Sequence, residues 1–331
     1  MMTTQDNNTL IRAEGLSLHY GKKLALDRLN FSIPKGRVVG LLGHNGAGKT
    51  TVMKMLTGYL EPTGGTIRVG ELEIGRDTRA IQSRIGYLPE NCPVWPDMTV
   101  IDFLEYQAAL HDVPVAKRAQ AVIHAIRRTA LKEKAAASIQ TLSRGYRQRL
   151  GVAQAILHEP DIVILDEPTN GLDPTQILHM RELIRELAQR ATVIVSTHIL
   201  QEVQAVCERV VIMRSGRKVI DSRMSELQQG ARLLVTVDRD PGVALPVLQA
   251  VPGVSTAQLD TRLEAGRGGR WRYALQGAED AAPAVSAAVQ RAGFALHALT
   301  PELRDLEAVF AEVNRVAVPG AATPAAEVTH A

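Results

Sequence analysis

Two cysteines in 331 residues, Cys92 and Cys207, stand far apart with no Cys-x-x-Cys spacing. That excludes a disulfide framework and argues against a structural zinc site; two reduced thiols in a reducing compartment are expected. Strong net charge is missing too, at +3 overall. Beyond residue 230 lie 9 arginines, no lysine and 11 acidic side chains, which leaves that part at −2 and the first 230 residues at +5. Neither part has the basic balance of a nucleic-acid surface. No apolar run approaches the ~20 residues that a membrane-spanning helix needs. Met1–Thr9 is polar and lacks the apolar stretch of a signal peptide. The expectation is a soluble, cytoplasmic chain that reaches a membrane only by docking on a partner.

What remains is ordinary globular material, 45% apolar and 22% charged, long enough for one large domain and a smaller one. Within it, Gly43-His44-Asn45-Gly46-Ala47-Gly48-Lys49-Thr50-Thr51 follows the apolar run Val38–Leu42 and precedes the helical Val52–Leu56. Strand, Gly-rich turn and helix, with Gly43, Gly48, Lys49 and Thr50 in the G-x-x-x-x-G-K-[ST] spacing, make a nucleotide-phosphate loop. Glycines let successive N–H groups turn inward, and the helix N-terminus adds partial positive charge for an anion. Lys49 is expected at the β- and γ-phosphates, and the Thr50 hydroxyl on Mg²⁺.

Residues 10–37 read as short strands with turns, an antiparallel layer ahead of the loop. From about 99 to 141 the spacing becomes helical, an insert between β-rich stretches. Ile162–Leu165 and Val193–Val195 are uninterrupted apolar runs, the pattern of parallel strands covered on both faces, and 174–190 between them reads as a helix. This alternation indicates an α/β core over residues 10–228. Beyond it, 231–315 reads strand, helix, strand, strand, helix, strand, resembling a small α+β ferredoxin-like domain, followed by a helix over Pro301–Arg315. Residues 1–9 and the Ala/Pro-rich 316–331 are expected to be disordered.

The Ile162–Leu165 strand delivers Asp166-Glu167-Pro168 at its C-terminal edge, where an α/β nucleotide site places its acids. Asp166 is expected to complete the Mg²⁺ shell, and Glu167 to orient and deprotonate the attacking water. Upstream, Leu142-Ser143-Arg144-Gly145-Tyr146 opens a basic helix. In that position it resembles the Leu-Ser-Gly-Gly-Gln signature of ATP-binding cassette (ABC) ATPases, and the resemblance extends over roughly residues 10–225. It implies a P-loop cassette that binds ATP and Mg²⁺. Tyr20 would stack on adenine. Glu90 would occupy the position of the glutamine that senses Mg²⁺ and the membrane partner, and Asp173 would cross a dimer interface. His198, after Ser196-Thr197, would contact the γ-phosphate, and Ser143 and Gly145 would reach the γ-phosphate held by a second copy.

The chain departs from the family pattern in two places. Glu90 stands for glutamine, which makes that metal contact anionic, and Arg144 and Tyr146 stand for Gly and Gln of the signature. Similar substitutions, with the Gly86-Tyr87-Leu88-Pro89-Glu90-Asn91 stretch, resemble export-type members serving multidrug efflux, gliding motility or copper-site maturation. The resemblance thus implies the ATP-hydrolysing subunit of an exporter. Its implied partners are a membrane permease, docked near Asn91–Met98 and Trp95, and a second ATP-binding subunit, with the chain on the inner face of the membrane and no nucleic acid bound. Two other classes compete: a soluble cassette ATPase acting on nucleic acid or ribosomes, and a non-catalytic module whose C-terminal domain senses a ligand. The first would carry tandem cassettes, coiled coils or zinc inserts, which are missing here. Gly266–Arg270 could bind RNA, but reads better as a turn between strands.

Overall fold

The computed structural model describes residues 8–228, 232–263, 269–277 and 281–302. Two compact units emerge, the first ending at Met224 and the second beginning at Ser225. In the first, strands β1 (Thr9–Tyr20), β2 (Lys23–Pro34), β4 (Gly64–Val69) and β5 (Leu72–Glu73) form an antiparallel sheet in the order β2-β1-β4-β5. Strands β3 (Val38–Leu42), β6 (Ile85–Leu88), β7 (Ile162–Asp166), β8 (Thr192–Thr197), β9 (Arg209–Arg214) and β10 (Arg217–Arg223) form the other sheet, in the order β10-β9-β3-β8-β7-β6. All its neighbours are parallel except the terminal β9–β10 hairpin.

The expected short strands over 10–37 are instead two strands of 12 residues each, meeting at Gly21-Lys22. Repeated register shifts along the pair let strands that long bend over the core while still burying Leu16, Leu18, Leu26, Leu29, Phe31 and Ile33. Thr9 corrects the expectation of disorder through that residue, because it opens β1 and pairs with Pro34. Residues 1–7 lie outside the described residues. Every residue of β3, β7 and β8 is buried, as uninterrupted apolar runs require of strands covered on both faces.

The insert is helical, with helices Val100–Leu110 and Val115–Arg128 leading into Arg144–Ile156. Thr99 caps the first, its hydroxyl accepting from the Asp102 amide. Helix Arg144–Ile156 presses on β6 so closely that a Cβ at Gly86 would lie 1.9 Å from the Ala155 carbonyl oxygen. His111, which ends the first insert helix, stacks parallel on His158 at 4.2 Å. His158 Nε2 in turn donates to the Ile85 carbonyl at 3.2 Å.

The second unit holds β11 (Arg232–Val237), β12 (Val254–Arg262), β13 (Trp271–Gly277) and β14 (Leu296–Glu302), ordered β12-β13-β11-β14 and antiparallel throughout. Helices Pro241–Gln249 and Ala282–Arg291 complete the ferredoxin-like order. Val235, Val237, Tyr273 and Leu275 of the sheet pack with Ala244, Leu248, Val285 and Val289 of these helices. The helix expected from Pro301 does not begin there: Pro301 continues β14 opposite Leu233, and an edge strand tolerates a residue without an N–H. The rest of that helix, the tail 316–331 and part of Gly266–Arg270 lie outside the described residues. Among the described residues, no helix is long and apolar enough to cross a membrane.

Two measurements test this packing. Gly86→Ala forces β6 and the helix apart, which should cost about 1–3 kcal/mol and lower the melting midpoint. His158 is pushed down to about 4, first by burial and then by the charge of His111. Its folded pKa lies below its unfolded one, so its contribution to stability is complete above about pH 6.5 and is lost as pH falls toward 4. Denaturant titrations from pH 7 to 4 should show a flatter decline in His158→Phe.

Candidate nucleotide site

The register of the parallel sheet sets the site. Leu42 at the end of β3 pairs with Thr197 at the end of β8, and Asp166 at the end of β7 pairs with Ser196. Three neighbouring strands therefore finish level, and each releases a functional segment at its C-terminal end: the phosphate loop, Asp166-Glu167, and His198.

The loop turns into helix Lys49–Leu56, whose N-cap Gly48 is at φ +103°. The Val52 amide closes the first helical bond to the Gly48 carbonyl at 3.0 Å. The amides of Lys49, Thr50 and Thr51 precede that bond and have no partner within the helix, which leaves them to an anion. Gly43 is fixed by space, since a Cβ there would lie 2.6 Å from the Met213 carbonyl oxygen. Lys49 is buried; its Nζ donates to the Gly43 carbonyl at 2.7 Å and lies 3.4 Å from Glu167 Oε1. Ala47 donates to the His44 carbonyl at 3.1 Å, tightening the curl.

One hydroxyl organises the acids. Ser196 Oγ donates to Asp166 Oδ1 and accepts from the Glu167 amide at 3.2 Å. Glu167 itself stands at φ +50°, in the left-handed region that a residue with a side chain seldom occupies. That turn directs its carboxylate between two nitrogens: Oε1 faces Lys49 Nζ, and Oε2 lies 2.9 Å from His198 Nδ1. The His198 backbone is steadied from behind, where Thr197 Oγ1 donates to Glu202 at 2.8 Å and accepts from the Ile199 amide at 3.1 Å.

A cavity of about 910 Å³ opens over these groups. Of the residues expected from sequence, it brings together Tyr20, Asn45, Gly46, Gly48, Lys49, Thr50, Thr51, Glu90, Glu167 and His198. Tyr20 is about half exposed (52%), a free aromatic face on the wall. Gly43, Ala47 and Asp166 are buried and His44 is exposed; none of the four lines the cavity. Sequence reasoning missed Lys23, Asp27, Asn170, Ser215 and Arg217, which also line it. Asn170-Gly171 was a visible turn signal; the pairing of Asp27 with Arg217, 190 residues apart, leaves no local trace.

Ser143, Gly145 and Asp173 are not in this lining. Ser143 caps helix Arg144–Ile156, its hydroxyl accepting from Tyr146, and Asp173 caps helix Pro174–Ala188, accepting from Gln176 at 2.9 Å. The two caps adjoin: a Cβ at Gly145 would meet Gln176 Oε1 at 2.4 Å, and one at Gly171 would meet the Arg144 guanidinium at 2.5 Å. They form a second patch of the same chain.

The donor set fits a divalent cation with bound phosphates. Asp166 Oδ2 is buried with no hydrogen-bond partner. The Tyr87 phenol is pushed up by burial first, and then by the charges of both Asp166 and Glu90. Among the described residues no three His, Cys, Asp or Glu converge as a cage. An ion held mostly by substrate phosphates, a hydroxyl and one carboxylate is the arrangement expected of Mg²⁺.

Residues 26–170 match the family model described as "ABC transporter". The chain is 36% identical to the Nod factor export ATP-binding protein I of Ralstonia nicotianae over 220 residues, 66% of this chain and 68% of that protein. It is 33% identical to the bacitracin transport ATP-binding protein of Enterococcus faecalis over 244 residues, 73% and 78% of the two chains. The solved structure of cbiO1 from Clostridium perfringens, part of the cbiONQ ABC transporter complex, superposes with a TM-score of 0.61 at 27% identity, covering 66% of this chain and 90% of that one.

Removing the Ser196 hydroxyl should expose how much these acids depend on it. Ser196→Ala leaves the buried Asp166 without its donor, at a cost of about 1–3 kcal/mol, measurable as a lower midpoint in denaturant.

Proposed function

The chain belongs to the family of ABC transporter ATP-binding proteins, and from that premise we propose that it is the ATP-hydrolysing subunit of an exporter, working as a pair of cassettes on a membrane permease. The observation that carries this is the juxtaposition of Lys49, Glu167 and His198 at the level ends of three parallel strands, beside a loop with unspent amides. The export relatives favour this assignment over a nucleic-acid ATPase or a non-catalytic module.

In this reading residues 10–228 are the cassette and 231–315 an accessory domain. The phosphates of ATP take the amides of Lys49–Thr51, and Lys49 leaves Glu167 for the β- and γ-oxygens. Thr50 and Asp166, with Glu90, would hold Mg²⁺, which would supply charge neutralisation for the transferring phosphoryl group. Release of Lys49 frees Glu167 Oε1 to take the proton of the attacking water, while the imidazole of His198 keeps Oε2 oriented. Tyr20 stacks on the base. Phosphoryl transfer asks the protein mostly for positioning and charge, which these groups provide.

Ser143, Gly145 and Asp173 belong to the other half of the device. They lie on a patch outside the cavity, so their action on phosphate calls for a second copy turned head to tail, its patch closing this cavity. Closure on ATP and opening after hydrolysis then drive the permease. Trp95, 47% exposed and edge-on to Phe103 and Tyr106 at 5.9 and 4.8 Å, offers a braced apolar lip for the permease contact.

Glu167→Gln keeps shape and removes the base. ATP binding should stay within about threefold and turnover should fall by about 10²–10⁴, with an ATP-dependent dimer accumulating in light scattering. Unchanged turnover would strip Glu167 of its role. A variant that stays monomeric with saturating Mg-ATP would remove the two-copy site.

A further inference from the structure

The wall of the cavity includes a turn that the mechanism above does not use. Ser215 and Gly216 join β9 to β10, and the turn lies between the phosphate loop and β2. The Gly216 amide donates to the Ala47 carbonyl at 3.0 Å, and the Gly216 carbonyl accepts from the Asp27 amide at 3.0 Å. A single residue therefore stitches the loop to the neighbouring sheet with both of its backbone polar groups. Only glycine fits: Gly216 is at φ +75°, and a Cβ would lie 2.3 Å from the Ala25 carbonyl oxygen. Ser215, just before it, is also left-handed at φ +48° without glycine's freedom.

Ser215 enters this turn against its preference, and the side chains of Arg217 and Asp27 are placed to hold it. Arg217 Nε and Nη2 lie 2.8 and 2.6 Å from Asp27 Oδ2, while Asp27 Oδ1 takes Arg28 Nε at 3.2 Å. The pair spans the same gap to β2 as the bond from the Asp27 amide to the Gly216 carbonyl, and both residues line the nucleotide cavity. Glu167 and His198 hang from β7 and β8 and make no contact through this turn.

We propose that the Asp27–Arg217 ion pair is a positioning device for the phosphate loop: it keeps the Ser215–Gly216 turn closed, and through Ala47 it holds the loop in the curl that receives a triphosphate. The proposal rests on the reading of the cavity as an ATP site. Breaking the pair should then act on affinity and leave the chemical step intact. An exposed ion pair with only a packing role would instead alter stability slightly and nucleotide binding not at all.

The test uses the full chain, with its permease wherever turnover requires it, and a fluorescent ATP analogue for binding. Arg217→Ala and Asp27→Asn should each weaken binding and raise KM by roughly tenfold, with kcat within about twofold. Arg217→Lys, which keeps the charge, should recover most of the affinity. Asp27→Asn is nearly isosteric and keeps the measurement possible if Arg217→Ala folds poorly. Lys49→Ala serves as the reference. Loss of binding in Lys49→Ala, beside unchanged affinity in both pair variants, overturns the positioning role. So does a kcat loss as large as the KM rise. Undiminished binding in Lys49→Ala would overturn the nucleotide assignment instead.

Discussion

Strands β3, β8 and β7 end at one level, and the chemistry of the site follows from that alignment. Their pairing, Leu42 with Thr197 and Asp166 with Ser196, is fixed by parallel hydrogen bonding between strands buried on both faces. A buried strand has little freedom to slip, because a one-residue shift would reverse every side chain. The phosphate loop, the two carboxylates and the histidine are thus delivered to one edge by strands buried on both faces. Loops do the contacting, and the sheet decides where they start.

Charge is arranged with similar economy. Lys49 and Glu167 are both buried, and each would be costly alone. Without phosphate they satisfy one another at 3.4 Å, with His198 on the second carboxylate oxygen. In the function proposed above, a triphosphate takes Lys49 from Glu167, so that arrival of the substrate and exposure of the carboxylate are one rearrangement of partners.

Much of this was legible in the residues themselves. The phosphate loop announces itself by glycine spacing, and Ile162–Leu165 and Val193–Val195 by unbroken apolar runs that only a doubly covered strand tolerates. The order of strands and helices after residue 231 was readable from alternation, and the antiparallel pairing of those strands came with the structure. Three features were not legible. The length of β1 and β2 depends on bulges that no residue type marks. Pro301 reads as a helix start locally, yet lies in an edge strand because β11 offers it a partner row. Asp27 and Arg217 meet only because two sheets converge on the loop, and contacts 190 residues apart carry no periodic signal.

The left-handed backbone at Glu167 restricts which descendants of this sequence are viable. Asparagine and aspartate enter that conformation more readily than most side chains, whereas β-branched residues resist it. In the proposed mechanism, asparagine at position 167 would therefore remove the carboxylate with the turn undisturbed, leaving a cassette that clasps nucleotide without cleaving it.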